Sequence, residues 1–111
     1  MAYYLVTAKP KADRGDDLLQ QLEERAYLDL QPFGRSLTNA LQNARLRDDG
    51  GAVWEEEDYC SPPLAQERAA VLDEFFDDLC VTAVNPGEGW LMIEHLPRMF
   101  PDLPSELPAS E

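Results

Sequence analysis

Four consecutive acidic residues, Glu55 to Asp58, are the part of the sequence that most suggests chemistry. They lie in a segment, residues 52–59, whose apolar ends predict a β-strand. On a strand, Glu55 and Glu57 share one face and Glu56 and Asp58 share the other. Burying two unpaired carboxylates costs several kcal/mol. The pair on the covered face must therefore be neutralised by other groups or bound to a metal. Otherwise, it must lie at a part of the strand that no other element covers.

The acidic run has three interpretations. The first is a frayed strand end at which arginines neutralise the carboxylates; the candidate partners are Arg35, Arg45, Arg47 and Arg68. The second is a polar cavity that binds a cation or a cationic ligand. The third is a general base, because a raised pKa lets a carboxylate accept a proton near neutral pH.

If this run lines a cavity, a few nearby side chains are candidates for catalysis or for metal binding. The candidate catalytic residues are Glu57, Asp58, Tyr59 and His95. The candidate metal ligands are Glu56, Asp58, Cys60 and His95. Carboxylate oxygens suit Mg²⁺, Mn²⁺ or Ca²⁺, whereas cysteine and histidine suit Zn²⁺. The chain has neither a calcium-loop spacing nor a His-x-x-x-His pair, so we expect no metal centre and no bound cofactor.

The two cysteines, Cys60 and Cys80, form no Cys-x-x-Cys motif. Cys60 precedes a predicted helix start, where the helix dipole lowers a thiol pKa, but the adjacent acidic residues oppose this effect. We expect Cys60 to be a small buried hydrophobic residue and Cys80 to lie in the core. Because no secretion signal is recognisable, we expect reduced thiols and a cytoplasmic location.

Aromatic side chains predict either an interface or a ligand platform on a sheet face. The candidates for this platform are Trp54, Tyr59 and Trp90. A lone sheet with helices on one side leaves its other face exposed, and an apolar open face needs a cover. We therefore expect a homodimer, with a protein partner or a small ligand as a further occupant.

The pattern of apolar residues predicts an alternation of strands and helices. The predicted elements are a strand at 2–9, a helix from Asp16 or Asp17 to Leu30, strands at 35–47 and 52–59, a helix from Ser61 to Leu79, and strands at 80–84 and 90–93. Ser61 is the predicted N-cap of the second helix, with Pro62 at its first position. Residues 1–100 form one domain, and residues 101–111 are a proline-rich acidic tail that we expect to be disordered.

Residues 35–47 have two interpretations. Leu37, Ala40, Leu41 and Ala44 form a stripe at helical spacing. However, the sequence Asp-Asp-Gly-Gly at 48–51 is a tight-turn signal ahead of a strand, and a hairpin needs a strand before its turn. We prefer the hairpin because the order of the elements along the whole chain then makes sense.

That order, β-α-β-β-α-β with a short extra C-terminal strand, predicts an α+β fold with an antiparallel sheet and two helices on one face. It resembles the ferredoxin-like superfold and its dimeric α+β-barrel branch. The block from Val53 to Asp73 is similar to that of small bacterial proteins with no assigned activity. One branch, the YCII-related proteins, is associated with a catalytic His-Asp pair. The only histidine here, His95, lies near the C-terminus, so the resemblance assigns no catalytic residue.

Composition narrows the classes of function. The 111 residues contain 22 acidic and 9 basic side chains, a net charge of −13. Such a surface repels phosphate backbones and anionic lipids, so we expect neither nucleic acid nor membrane as a direct ligand. The leading hypothesis is a non-catalytic homodimeric binding module that uses its open sheet face. The alternatives are a small cofactor-independent enzyme with a polar cavity between two sheets, and an acidic mimic of nucleic acid.

Overall fold

A computed structural model describes residues 2–58, 61–101 and 103. It has an α+β fold built on a four-stranded antiparallel sheet. The strands are β1 (Ala2–Pro10), β2 (Arg45–Leu46), β3 (Ala52–Asp58) and β4 (Phe76–Val84). Their order across the sheet is β2-β3-β1-β4, so the first strand of the chain lies between the two longest of the others.

Strand β1 is central because its run of aromatic and β-branched residues can be covered on both faces. Val6 lies opposite Trp54 of β3 and Val81 of β4. We call the face that carries Val6 and Trp54 the inner face, since both are fully buried in the core. Because side chains alternate along a strand, Leu5 and Glu55 belong to the other, outer face.

The helices supply the remainder of the core. They are α1 (Gly15–Glu23), α2 (Gly34–Gln42), α3 (Ala65–Glu67), α4 (Asp73–Phe75) and α5 (Glu88–Ile93), with a π-helical turn, Arg68–Leu72, joining α3 to α4. The buried helical residues that pack with the inner face include Leu18, Leu22, Leu37, Leu41, Leu64, Leu72 and Phe75. Helices therefore cover the inner face, as predicted.

The prediction of a strand within residues 35–47 was wrong for most of the segment. Helix α2 occupies residues 34–42, and only Arg45 and Leu46 form a strand. The helical stripe decides the structure, because Leu37, Ala40 and Leu41 are at most 2% exposed. The predicted turn at 48–51 does join two strands, but β2 follows β3 only as far as Val53.

The second predicted helix is shorter than expected at both ends. Helical structure starts at Ala65 rather than at Ser61, and the Asp58 carboxylate accepts the N–H of Leu64 at 2.7 Å. It ends at Phe75, because Phe76 has extended backbone angles and pairs with β1. Phe75 and Phe76 are both buried, and the change from helix to strand lets both side chains reach the core.

The predicted C-terminal strand at 90–93 was also wrong, since these residues belong to helix α5. Helix α5 lies on the outer face, where a Cβ added to Gly89 would come within 3.2 Å of Leu5 and 2.9 Å of Glu55. Beyond α5, the chain runs beside β2: the N–H of Leu46 donates to Pro97 at 2.9 Å, and the N–H of Met99 donates to Ala44, the residue before β2, at 2.7 Å. Helix α5 thus covers part of the outer face of the sheet, which was expected to be open.

Two further expectations concern the edges of the domain. Cys80, predicted to be core, is instead a free, exposed thiol, because it points to the uncovered outer side of β4. Of the predicted tail, Leu103 is buried, and residues 104–111 lie outside the described residues. Among the helices described, none is long and apolar enough to cross a membrane.

Candidate functional site

A cleft of about 640 Å³ lies beside the part of β3 that extends past the end of β2. Helix α2 forms one wall, and the loop that leads into α5 forms another. The residues that line it and bear on its chemistry are Tyr3, Arg35, Ser36, Asn39, Glu55, Glu56, Glu57, Pro86, Gly87 and Trp90. Its size is in the range of small-molecule sites.

Glu55 organises the wall formed by the start of α5. Its carboxylate accepts the N–H of Gly87 at 2.8 Å, of Gly89 at 2.7 Å and of Trp90 at 3.2 Å. Gly87 has a φ of +83°, a conformation that favours glycine. These hydrogen bonds place the Trp90 ring at the cleft and compensate the charge of a carboxylate that is only 5% exposed.

Glu56 points to the inner face and is also buried. The indole N–H of Trp54 donates to Glu56 Oε1 at 2.9 Å, and Glu56 Oε2 has no hydrogen-bond partner among the residues described. Burial raises the pKa of Glu56 to about 8; the Trp54 hydrogen bond lowers it, while the charges of Glu67 and Asp58 raise it further. The Glu56 carboxyl therefore holds a proton at neutral pH.

Glu57 and Tyr3 lie directly opposite each other on β3 and β1. The Tyr3 hydroxyl donates to the Glu57 carboxylate. Burial raises the pKa of Tyr3, and the charge and hydrogen bond of Glu57 and then the charge of Glu55 add to that rise. The carboxylate of Glu57 is therefore already hydrogen-bonded within the chain.

The wall formed by α2 carries polar side chains. The side chains of Arg35, Ser36 and Asn39 make no hydrogen bond or ion pair with any other residue in the described part of the chain. Arg35 is exposed, and the other two are half-buried. Residues 35 and 39 are one helical turn apart, so their side chains lie on the same side of α2.

Of the predicted catalytic and metal-binding candidates, the structure brings Glu56 and Asp58 together. Asp58 is buried on the inner side of β3, like Glu56, and its Oδ2 atom binds the Leu64 N–H. His95 is exposed in the turn after α5. Tyr59 and Cys60 lie outside the described residues. No group of three or more His, Cys, Asp or Glu side chains among residues 2–58, 61–101 and 103 could hold a metal ion.

The predicted aromatic platform is divided in the same way. Trp54 is fully buried, and its ring centroid lies 5.2 Å from that of Phe76, so it is part of the core. Trp90 lines the cleft. The polar wall of α2 was missed, because a strand was predicted there. The helical stripe around Leu37 was the signal that could have placed Arg35, Ser36 and Asn39 together.

Comparison with protein-family models, curated proteins and solved structures found no match for this chain. The resemblance to the ferredoxin-like superfold therefore remains a prediction. Because one fold supports many activities, the case for function rests on the site itself.

Proposed function

We propose that this protein is a non-catalytic binding module whose ligand is a small organic molecule held in the cleft beside β3. The observation that carries the proposal is the composition of that cleft. Aromatic and proline surfaces from Tyr3, Pro86 and Trp90 line the same cleft as polar side chains of α2 that have no partner in the described chain. Apolar walls with a few convergent polar groups are characteristic of small-molecule sites.

The proposed architecture is the split β-α-β arrangement of the ferredoxin-like superfold. Two observations support it. Strand β1 lies between β3 and β4, with β2 outside β3, and every neighbouring pair is antiparallel. The helical segments 15–23 and 65–75 connect strands on the inner side of the sheet.

Self-association is the second part of the proposed function. Leu91 and Met92 of α5 are 68% and 53% exposed, and exposed apolar groups of this size favour contact with another molecule. We expect the outward side of α5 and the uncovered outer face of β1 and β4 to form a homodimer. Light scattering on a size-exclusion column would then give about twice the 12.5 kDa mass of the chain. A monomeric mass at high concentration would contradict the dimer and leave the cleft proposal intact.

Ligand binding is tested by titrating a fragment library into ¹⁵N-labelled protein and following the amide signals. We expect at least one fragment to shift the signals of Asn39, Glu57 and Trp90 together. The variant Trp90→Ala should lose this response, whereas Leu91→Ala, next to it but outside the cleft, should keep it. If no fragment shifts the cleft signals, the binding proposal is wrong.

A second candidate function rests on Glu56, a residue of the cleft wall whose carboxyl is buried on the inner side of β3 and protonated at neutral pH. A protonated carboxyl beside a bound substrate can act as a general acid. This candidate corresponds to a small cofactor-independent enzyme. The two functions are separated by Glu56→Gln: an enzyme would lose turnover and keep ligand affinity. A ligand recovered chemically unchanged after long incubation would contradict the enzyme.

A further inference from the structure

We propose that the ligand of the cleft is a small organic monocarboxylate with a flat apolar body, and that Arg35 binds its carboxylate. This inference rests on the proposed function, since it names the chemical class of the molecule in the same cleft. It follows from the hydrogen-bonding state of each polar group that lines the cleft.

The acidic groups of the cleft need no cation from a ligand. Glu55 accepts N–H groups from Gly87, Gly89 and Trp90. Glu56 holds a proton and accepts the Trp54 N–H. The Glu57 carboxylate accepts the Tyr3 hydroxyl. The run of acidic residues therefore does not make this a cation site, which was one of the three interpretations of that run.

The remaining polar side chains can all donate hydrogen bonds. Arg35, Ser36 and Asn39 have no partner within the described chain, and all three side chains lie along the cleft. A guanidinium group presents a planar fork of N–H donors that matches the two oxygens of a carboxylate. A hydroxyl and an amide beside it supply further donors to the same oxygens.

The wall formed by the loop into α5 indicates the chemistry of the remainder of the ligand. Trp90 is half-buried, and Pro86, from the loop that leads into α5, lines the same cleft. A flat apolar body fits against an indole ring and displaces water from it. The cleft volume of about 640 Å³ accommodates one or two fused rings with an attached acid group.

The overall charge restricts the ligand to a single negative charge. A chain with net charge −13 repels anions, and each additional charge on the ligand increases the repulsion. Arg35 supplies one local positive charge at the cleft. A phosphate or a dicarboxylate would bring more negative charge than this one group can compensate.

The test uses three probes with the same ring system: 2-naphthoate, the neutral 2-naphthamide and the cationic 2-naphthylmethylammonium. Binding is followed by amide chemical shifts on the full chain. We expect 2-naphthoate to shift the signals of Arg35, Asn39 and Trp90, with the amide and the amine at least about tenfold weaker. Arg35→Gln should weaken 2-naphthoate at least about tenfold, and Arg35→Lys should restore part of the loss. The control Arg47→Gln, an arginine paired with Asp49 outside the cleft, should change nothing.

Two groups of results would overturn the inference. The first leaves the cleft as a binding site, and the second does not. If the amide or the amine binds as tightly as the acid, or Arg35→Gln binds 2-naphthoate unchanged, the carboxylate assignment is wrong and the cleft remains a binding site. If none of the three probes and no library fragment shifts the cleft signals, both the assignment and the proposed function are wrong. A loss of binding in Arg35→Gln with an unchanged amide spectrum elsewhere excludes misfolding as its cause.

Discussion

Adjacent glutamates on β3 show two ways of burying a carboxyl group. Glu55 and Glu56 are 5% and 2% exposed and point to opposite faces of the same strand. On the outer face, three backbone N–H groups surround the Glu55 carboxylate. On the inner face, one indole N–H and two further carboxyl groups surround Glu56, and its pKa rises to about 8. The number of hydrogen-bond donors around a buried carboxyl group, more than its burial, therefore determines whether the fold favours its charged or its protonated form.

Removing the outer carboxylate should have the largest effect. Glu55→Ala leaves the N–H groups of Gly87, Gly89 and Trp90 without their acceptor and removes the group that holds α5 on the sheet. We expect a loss of about 4 kcal/mol in the free energy of unfolding, because hydrogen bonds to a charged group contribute about 1.5–3 kcal/mol each and are not fully additive. Urea unfolding measures it. Glu23→Ala, at an exposed site on α1, is the control and should change stability by less than about 0.5 kcal/mol. Equal losses in the two variants would contradict the role of Glu55.

The inner carboxyl should make stability depend on pH. Between about pH 5 and pH 8 the folded chain keeps the Glu56 proton while the unfolded chain has lost it. The free energy of unfolding should therefore fall as pH rises through this window, by about 3 kcal/mol, and level off above it. Glu56→Gln, which cannot ionise, should remove most of this fall.

The measurement is urea unfolding at pH 5, 6.5 and 8. Glu57→Gln, a neighbouring substitution at the half-buried position that faces Tyr3, is the matched control and should retain the wild-type fall. A wild-type protein equally stable at pH 5 and pH 8 would show that Glu56 is not buried as a neutral acid.

A smaller effect should come from crowding the outer carboxylate. An alanine Cβ at position 89 would lie 2.9 Å from Glu55 Oε1 and 3.1 Å from Glu55 Cβ. We expect Gly89→Ala to cost about 2 kcal/mol by displacing that side chain. Its cost should shrink in a Glu55→Ala background, since the two changes break the same contact. Gly15→Ala is the control, because its added Cβ would meet nothing within 4 Å. Full additivity of the two substitutions would show that they act independently.

The smallest effect should separate the two sides of α5. Leu91 is 68% exposed whereas Ile93 is 5% exposed. Leu91→Ser should change the free energy of unfolding by less than about 0.5 kcal/mol at low protein concentration, where the chain is monomeric. Ile93→Ala should cost about 2 kcal/mol. Thermal melts at several protein concentrations check both values. If the two substitutions cost the same free energy of unfolding, α5 does not pack on the sheet through Ile93.

The sequence predicted the strands that local pattern alone can specify. Strand β1 contains a run of aromatic and β-branched residues, and β3 begins with apolar residues ahead of its acidic run; both strands were predicted nearly to their ends. Helix α5 could not be predicted in this way, because six residues are too few to form a stable helix alone. Its N–H groups depend on Glu55, which lies 32 to 35 residues earlier in the chain. Helix α2 was missed for the opposite reason: its local stripe was correct, and an argument from the order of elements overrode it.

The acidic run was correctly singled out, but the role of each carboxyl was not accessible from sequence. Alternation along the strand separates Glu55 from Glu56, yet it does not say which of them faces the helices, since a one-residue change of register exchanges the faces. Two of the donors to Glu55, Gly87 and Gly89, lie between the predicted strands at 80–84 and 90–93, in a segment to which the sequence analysis assigned no role. Arg35 was considered solely as a partner for the acidic run.

The central position of β1 has a consequence for the order in which this domain can assemble during synthesis. Both of its neighbours come late in the chain: β3 begins at residue 52, and β4 ends at residue 84. Until those residues leave the ribosome, the apolar strand 2–10 has neither of its native edges paired, and α1 has no sheet on which to pack. Pairings of such long sequence separation form slowly. The nascent domain should therefore depend on chaperones until β4 has been synthesised.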